Sequence, residues 1–379
     1  MPITTCLIIL LTLIWCREQK EEQQLTGVSW WLLGFLGWIV FNAWLFSRQL
    51  YASFTSALPI FISSLIFLII QTFQPNKKII NFFIRGFLIG SVGIILFSFY
   101  VYLSPKFPSL RMGGPFRQHN AFAGFLTTLL PLSLYTSMFE QKFKLIWPII
   151  STVVLTALIL TFSRGGAVAI GGVLIVFLFF LWRQNGRQKF IKPVVIIILL
   201  MLTSSALAYG LYKIKTVNFS AVGINVADSP YASEIPEVGE TGVNSRFQYW
   251  KAALKISGEN PITGTGLNTF EQEYRRIQTD PRFFSVDPHN VILKILTELG
   301  LVGVIIFTMF LIFLLWPALK SIWQHQSDPV FIPLFIGLIG LLIHYNLDLN
   351  LTFPAHYFLF FTLAALLFKP KYESPTLLN

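Results

Sequence analysis

PVVIIILLMLTSSALAYGLY, residues 193–212, runs for twenty residues between Lys192 and Lys213 without a charge. A helix that crosses the roughly 30 Å hydrocarbon core of a bilayer needs about 20 apolar residues, each rising about 1.5 Å. This stretch has that length. Cutting the 379-residue chain at its charges finds the pattern repeatedly, at 2–16, 28–47, 51–73, 79–103, 119–139, 145–163, 165–182, 193–212, 297–316, 330–346 and 350–368. The composition agrees: 54% hydrophobic, 12% charged and a mean hydropathy of +0.67, against about a quarter charged in soluble domains. The expected fold class is an all-α polytopic membrane protein with about eleven transmembrane helices, a count between ten and twelve, and one long external loop holding short amphipathic helices.

The first segment is short, but no small-residue cleavage site follows Trp15, so it counts as a span and not as a signal peptide. Its two cysteines, Cys6 and Cys16, lie about 15 Å apart along a helix, too far for a disulfide.

Orientation follows from the charges. Cytoplasmic loops retain Lys and Arg, and placing the long segment 213–290 outside puts fourteen basic residues in cytoplasmic connections: Arg17, Lys20, Lys77, Lys78, Arg85, Lys142, Lys144, Arg183, Arg187, Lys189, Lys192, Lys320, Lys369 and Lys371. The short outer connections then carry five: Arg48, Lys106, Arg111, Arg117 and Arg164. Eleven spans also put the N-terminus outside, which points to a missing first helix or a first segment that does not cross. The chain divides into an N-terminal helical bundle over 1–212, an extracytoplasmic loop domain over 213–290, a C-terminal bundle over 291–368 and a cytoplasmic tail over 369–379.

The loop holds nine of the seventeen acidic residues. Its first half, through Asn244, has no helical period and is expected to be irregular. Ser245-Arg246-Phe247-Gln248 then fits a capping box, and Phe247, Trp250 and Leu254 recur at helical spacing until Gly258 and Pro261, so an amphipathic helix is expected over 246–257. A second is expected over 269–277, and Asp287-Pro288 breaks the chain before an apolar face resumes at Val291.

A charge in or at the rim of a membrane costs a few kcal/mol, which makes it a candidate for function. Arg164, in Thr161-Phe162-Ser163-Arg164-Gly165-Gly166, stands between two apolar stretches. It fits a snorkelling arginine at a helix end or an anion site where two glycines open backbone N–H groups at a helix N-terminus. Arg246 opens the loop helix beside Trp250 and Lys251, with Lys255 extending the same basic face. His289, in Asp287-Pro288-His289-Asn290, sits where the loop re-enters the membrane, a position suited to proton transfer. Arg117, His119 and Asn120, and later His344, Asn346, Asp348 and Asn350, interrupt apolar sequence on the same face. Together these residues outline one outer vestibule. Nucleotide-binding glycine motifs, zinc-binding spacings and a D-x-D-type pair in an outer loop are missing from the sequence, and nucleic acid is not an expected partner.

The order Arg164-Gly165-Gly166, Ser245-Arg246 with Trp250, Pro261-Ile262-Thr263-Gly264-Thr265-Gly266, then His289-Asn290 with Glu298-Leu299-Gly300 resembles the O-antigen ligase and O-antigen polymerase superfamily. The resemblance extends over about 113–355, with Phe116–Asn120 and His344–Pro354 as further landmarks. It implies a GT-C-like, metal-independent glycosyltransferase without a cofactor. Such an enzyme takes a glycan from a polyprenyl diphosphate at the outer face of the bacterial inner membrane and passes it to a sugar hydroxyl of a glycolipid or glycan acceptor. Arg164 and Arg246 would hold the diphosphate and His289 would serve as general base or orient the acceptor. Arg117, His119, Asn120, Trp250, Lys251, Asn290, His344 and Asp348 complete the expected substrate site. The family commonly has about twelve spans, one more than here, and its landmarks do not separate ligase from polymerase. A transporter or flippase for an anionic lipid-linked substrate is the alternative from another class, but transporters place their sites near the midplane of repeated halves, and no internal repeat is visible.

Overall fold

The structure, a computed structural model, describes residues 26–73, 75–107, 109–221, 241–279, 284–325, 328–348 and 353–367. Every regular element among them is helical: α1 Gly27–Leu45, α2 Leu50–Phe73, α3 Lys77–Leu103, a 3-10 turn Gly114–Phe116, α4 His119–Phe139, α5 Ile146–Leu160, α6 Arg164–Ala221, α7 Thr241–Glu259, α8 Phe270–Ile277, α9 Val291–Trp323, α10 Phe331–Tyr345 and α11 Pro354–Leu367. Side-chain caps start several of them. Thr26 accepts from Ser29 N, Asn76 from Ile79 N and Asn290 from Leu293 N, each satisfying one of the amides a helix N-terminus leaves over.

Seven described helices are long and apolar enough to cross a membrane by length and composition, and α5, α10 and α11 are shorter apolar helices. These match ten of the eleven expected spans. The expected span 2–16, with Cys6 and Cys16, lies outside the described residues. Two of the seven come from α6, whose 58 residues hold two membrane-length arms. A straight helix would carry Tyr212 about 75 Å from Phe162, yet their rings lie 5.8 Å apart. The run therefore doubles back between its arms, Arg164–Arg183 and Phe190–Asn218, and both arms meet the end of the bundle where the polar residues gather. The loop expected to be irregular is shorter than its sequence suggests: α6 continues to Ala221 and α7 begins at Thr241.

Helix α4 is the hub, packed on α5, α6 and α10, and 78% of its most apolar stretch is buried, more than in any other long span. Its first residues, His119 and Asn120, therefore open onto the centre of one end. Over that end lies a hairpin of α7 and α8 with a small core of its own: Tyr249, Ala252, Ala253, Ile256, Phe270 and Tyr274, against Leu293 of α9. Arg48, in the turn between α1 and α2, ties the hairpin down by pairing with buried Glu273 at 2.5 Å. Lys77 and Asp328 pair at 2.6 Å in the connections at the opposite end.

The loop Pro261–Gly266 fastens the hairpin to the bundle by a backbone exchange. Helix α9 breaks at Gly300, where φ is +67°, a conformation open to glycine and costly for other residues. The carbonyls freed at Thr297, Glu298 and Leu299 accept Thr265 N (3.0 Å), Gly266 N (2.8 Å) and Trp38 Nε1 (2.9 Å), while Leu301 N and Val302 N donate to Pro261 O and Ile262 O. Buried backbone groups must be paired inside a membrane, and here a second chain segment supplies the partners that a continuous helix would have supplied itself. A Cβ on Gly264 would lie 2.6 Å from Gly300 N, so the two glycines let the backbones touch.

Candidate active site

Asp348 lies in the turn that follows α10, its backbone N–H bonded to His344 O at 3.0 Å. Its carboxylate is buried and divided. Oδ2 accepts Arg246 Nη2 at 2.7 Å, and Oδ1 accepts His289 Nδ1 at 3.2 Å. Burial alone would raise this carboxyl. The hydrogen bond from His289 and the positive charge of Arg246 outweigh it and hold the group down at about 2.

His289 reaches Asp348 from a strained turn. Ser285 Oγ donates to Asp287 O, His289 N donates to Asp287 Oδ1 at 2.8 Å, and His289 takes φ +55°. That left-handed backbone, uncommon without glycine, aims the ring at Asp348 just before Asn290 caps α9. Tyr249 of α7 stacks on the imidazole at 5.5 Å and 20°. Asn290 also donates Nδ2 to Asn346 O at 3.2 Å, closing the seam between α9 and the turn after α10. With Nδ1–H given to a carboxylate, the tautomer follows and Nε2 carries the lone pair.

Arg164 is the exposed first residue of α6. Ser163 caps this helix, its Oγ accepting Gly166 N at 3.0 Å, so that amide is already taken and is not open to an anion as the glycine pair suggested. The glycines also allow close packing. A Cβ on Gly165 would lie 3.4 Å from Asp348 Oδ2 and from Leu347, and one on Gly166 would lie 3.1 Å from Ala123. The start of α6 is thereby pressed onto the Asp348 turn, with its positive dipole end toward the carboxylate.

The structure thus brings Arg246, His289 and Asp348 into direct contact and sets the backbone of Arg164 beside them. His119 lies 3.0 Å from Arg111 Nη1 through Nε2, at the α4 end of the same region, with Asn120 next to it. Arg117 is exposed on the turn before α4, at φ +53°. His344 is fully buried one turn before Asp348. Trp250 packs edge-on against Phe247 at 5.4 Å. Lys251 is not brought to this cluster. It lines, with Gln248, Lys255, Tyr274 and Gln278, a groove of about 360 Å³ between α7 and the end of α8. Asn350 lies outside the described residues.

Sequence reasoning passed over several neighbours. Asp287 stands in the sequence reading only as a chain breaker before Pro288 and Arg111 only as a connection charge, while Tyr249 is not singled out there at all. Lys294 and Glu298, four residues apart in an apolar run, pair at 2.9 Å in the buried first turns of α9. A charge pair inside a membrane helix was the available signal. His356 donates or accepts nothing at the cluster; its Nε2 lies 3.0 Å from Ala121 O and ties α11 to α4.

Chemically, the cluster offers a nitrogen base oriented by a carboxylate, together with two guanidinium groups at the rim of an apolar bundle. Residues 149–308 match the family model described as O-antigen ligase. That interval contains Arg164, Arg246, His289 and the Gly264–Gly300 clamp, and it ends before Asp348. No curated protein matches the chain significantly. With its motifs inside the matched segment and its helices long and apolar enough to span a membrane, this chain carries over residues 149–308 a segment similar to the O-antigen ligase and polymerase superfamily of multi-pass membrane proteins.

Proposed function

We propose that the protein is a glycosyltransferase that moves a glycan from a polyprenyl diphosphate to a sugar hydroxyl of a glycolipid or glycan acceptor, working at the outer face of a bacterial inner membrane. The observation that carries this reading is the Asp348 carboxylate shared between Arg246 and His289. His289 Nε2 takes the proton of the acceptor hydroxyl, whose oxygen attacks the anomeric carbon. The bond from that carbon to the diphosphate oxygen breaks, and the diphosphate leaves with the electron pair. Asp348 stabilises the imidazolium that forms, as a buried carboxylate does for a catalytic histidine.

Arg246 uses one nitrogen on Asp348, and the guanidinium's remaining N–H donors are available for phosphate oxygens. Arg164, exposed beside the same turn, supplies a second cation. Neutralising charge as it develops on the leaving group is usually the largest catalytic contribution. In this reading arginines supply it without a metal. The polyprenyl chain rests on the apolar outer faces of the bundle.

The test uses the purified full-length protein with a polyprenyl-diphosphate glycan and candidate acceptors, with and without chelator. Wild type is compared with Arg164→Ala, Arg246→Ala and His289→Ala. Undiminished transfer by all three variants would refute the site. One added glycan per acceptor identifies a ligase, a ladder of products a polymerase, and movement of donor across vesicles without a new glycosidic bond a transporter.

A further inference from the structure

Lys294 is buried in the first turn of α9, 7% exposed. A lysine is almost never buried unless it is paired, and this one is paired twice. Its Nζ lies 3.2 Å from Asp287 Oδ2 and 2.9 Å from Glu298 Oε1. Asp287 gives its other oxygen, Oδ1, to the backbone N–H of His289. Glu298 is anchored in turn, because its carbonyl accepts Gly266 N in the break of α9. A continuous chain of contacts therefore runs from the clamped break, through Lys294 and Asp287, to the backbone of His289.

That backbone needs holding. A non-glycine residue at φ +55° persists only where its surroundings over-determine it. We propose that Lys294 is a positioning residue for the transfer step: by clamping Asp287 to Glu298 it fixes the strained His289 turn so that the imidazole meets Asp348. The inference rests on His289 acting as the base. Lys294 faces two carboxylates at once, so it does two separable things. It balances charge, and it fixes the direction of Asp287. One flank of its side chain borders a cavity of about 370 Å³ lined by Thr55, Ser56, Asn268 and Tyr357, which gives room for Met or Arg at this position.

The experiment compares full-length wild type with Lys294→Arg, Lys294→Met and the double variant Lys294→Met/Glu298→Gln, which lowers the charge imbalance without restoring the clamp. Lys294→Met is expected to lose about 10- to 100-fold in kcat, the scale of a small misplacement of a catalytic group, with KM for donor and acceptor nearly unchanged. Lys294→Arg is expected to recover most of the loss. The double variant is expected to regain melting temperature while kcat stays low. If Lys294→Met does not fold, the double variant carries the same comparison. Recovery of kcat by the double variant would overturn the proposal and leave Lys294 with charge balance alone, as would a folded Lys294→Met with wild-type kcat. Modification of His289 by diethyl pyrocarbonate, followed by peptide mass, provides a readout without transfer. It is expected to run several-fold faster in Lys294→Met, and an unchanged rate counts against the proposal even if no glycan is transferred.

Discussion

Replacing Asp348 by Asn keeps the shape of the side chain and removes its charge. In the native turn Oδ1 accepts His289 Nδ1–H at 3.2 Å and Oδ2 pairs with Arg246 at 2.7 Å. An amide at this position has one acceptor oxygen in place of two, and it places an N–H group opposite one of these two donors. If that group faces His289, the ring presents the wrong tautomer and Nε2 carries the proton that should be absent. Positioned general bases are worth about 10²- to 10⁴-fold, and breaking a buried pair by removing one partner costs about 3–5 kcal/mol. The first figure places the expected loss in kcat at about 10²- to 10⁴-fold, and the second is a loss of folding stability that accompanies it. Donor KM should hold or fall, because Arg246 keeps its charge and gains freedom to meet a diphosphate. The assay is single-turnover transfer from a radiolabelled lipid diphosphate donor, with size-exclusion profiles confirming that the variant is folded. Transfer within threefold of wild type would refute the role given to the dyad.

The same carboxyl makes stability depend on pH. Its native value of about 2 lies below the ordinary 3.8, so it contributes stability that is fully present above about pH 4 and is lost as the pH falls towards 2, on the order of 2 kcal/mol. Thermal melts between pH 5 and pH 2.5 should show a smaller acid-induced decline in Asp348→Asn than in wild type. Gly300→Ala should be destabilised by about 2–4 kcal/mol, because the new methyl collides with the Ile262 carbonyl at a positive φ; a melting temperature equal to wild type would show that the clamp does not constrain α9. Arg164→Ala and Arg246→Ala should each reduce kcat/KM by about 10²-fold or more through lost stabilisation of the leaving diphosphate, with Lys restoring part of it at Arg164; steady-state kinetics at varied donor concentration checks this. Chelator should leave the wild-type rate unchanged, and a rate abolished by EDTA and restored by a divalent cation would contradict the assignment of charge neutralisation to the arginines.

Much of the fold could be read from where the charges fall. Apolar runs such as 193–212 locate nine of the described helices, with two runs in α6, because a bilayer's hydrocarbon thickness sets the length a spanning helix needs. The doubling back of α6 had a visible cause in the charged stretch between its arms. The Phe247, Trp250, Leu254 spacing marked the first loop helix, but the Ser245–Gln248 box misplaced its start: α7 begins at Thr241, so Ser245 lies inside the helix and does not cap it, whereas α8, Phe270–Ile277, falls where it was expected.

The site divides in the same way. Arg164, Arg246, His289 and Asp348 could be singled out from the sequence, since polar residues stand out against an apolar background and their order resembles a known family. What tertiary structure decided is which atoms meet. One carboxylate bridges Arg246 and His289 across more than fifty residues of chain on either count, because the turn after α10 is pressed between the start of α6 and the start of α9. The glycines at 165 and 166, read from sequence as openings for an anion, also permit that packing, and Ser163 Oγ takes the amide of Gly166. Lys251 shares a helix with Arg246 and faces a different groove. A linear pattern fixes residue types and spacings, while the direction of a side chain and the partner it finds depend on contacts between segments distant in sequence.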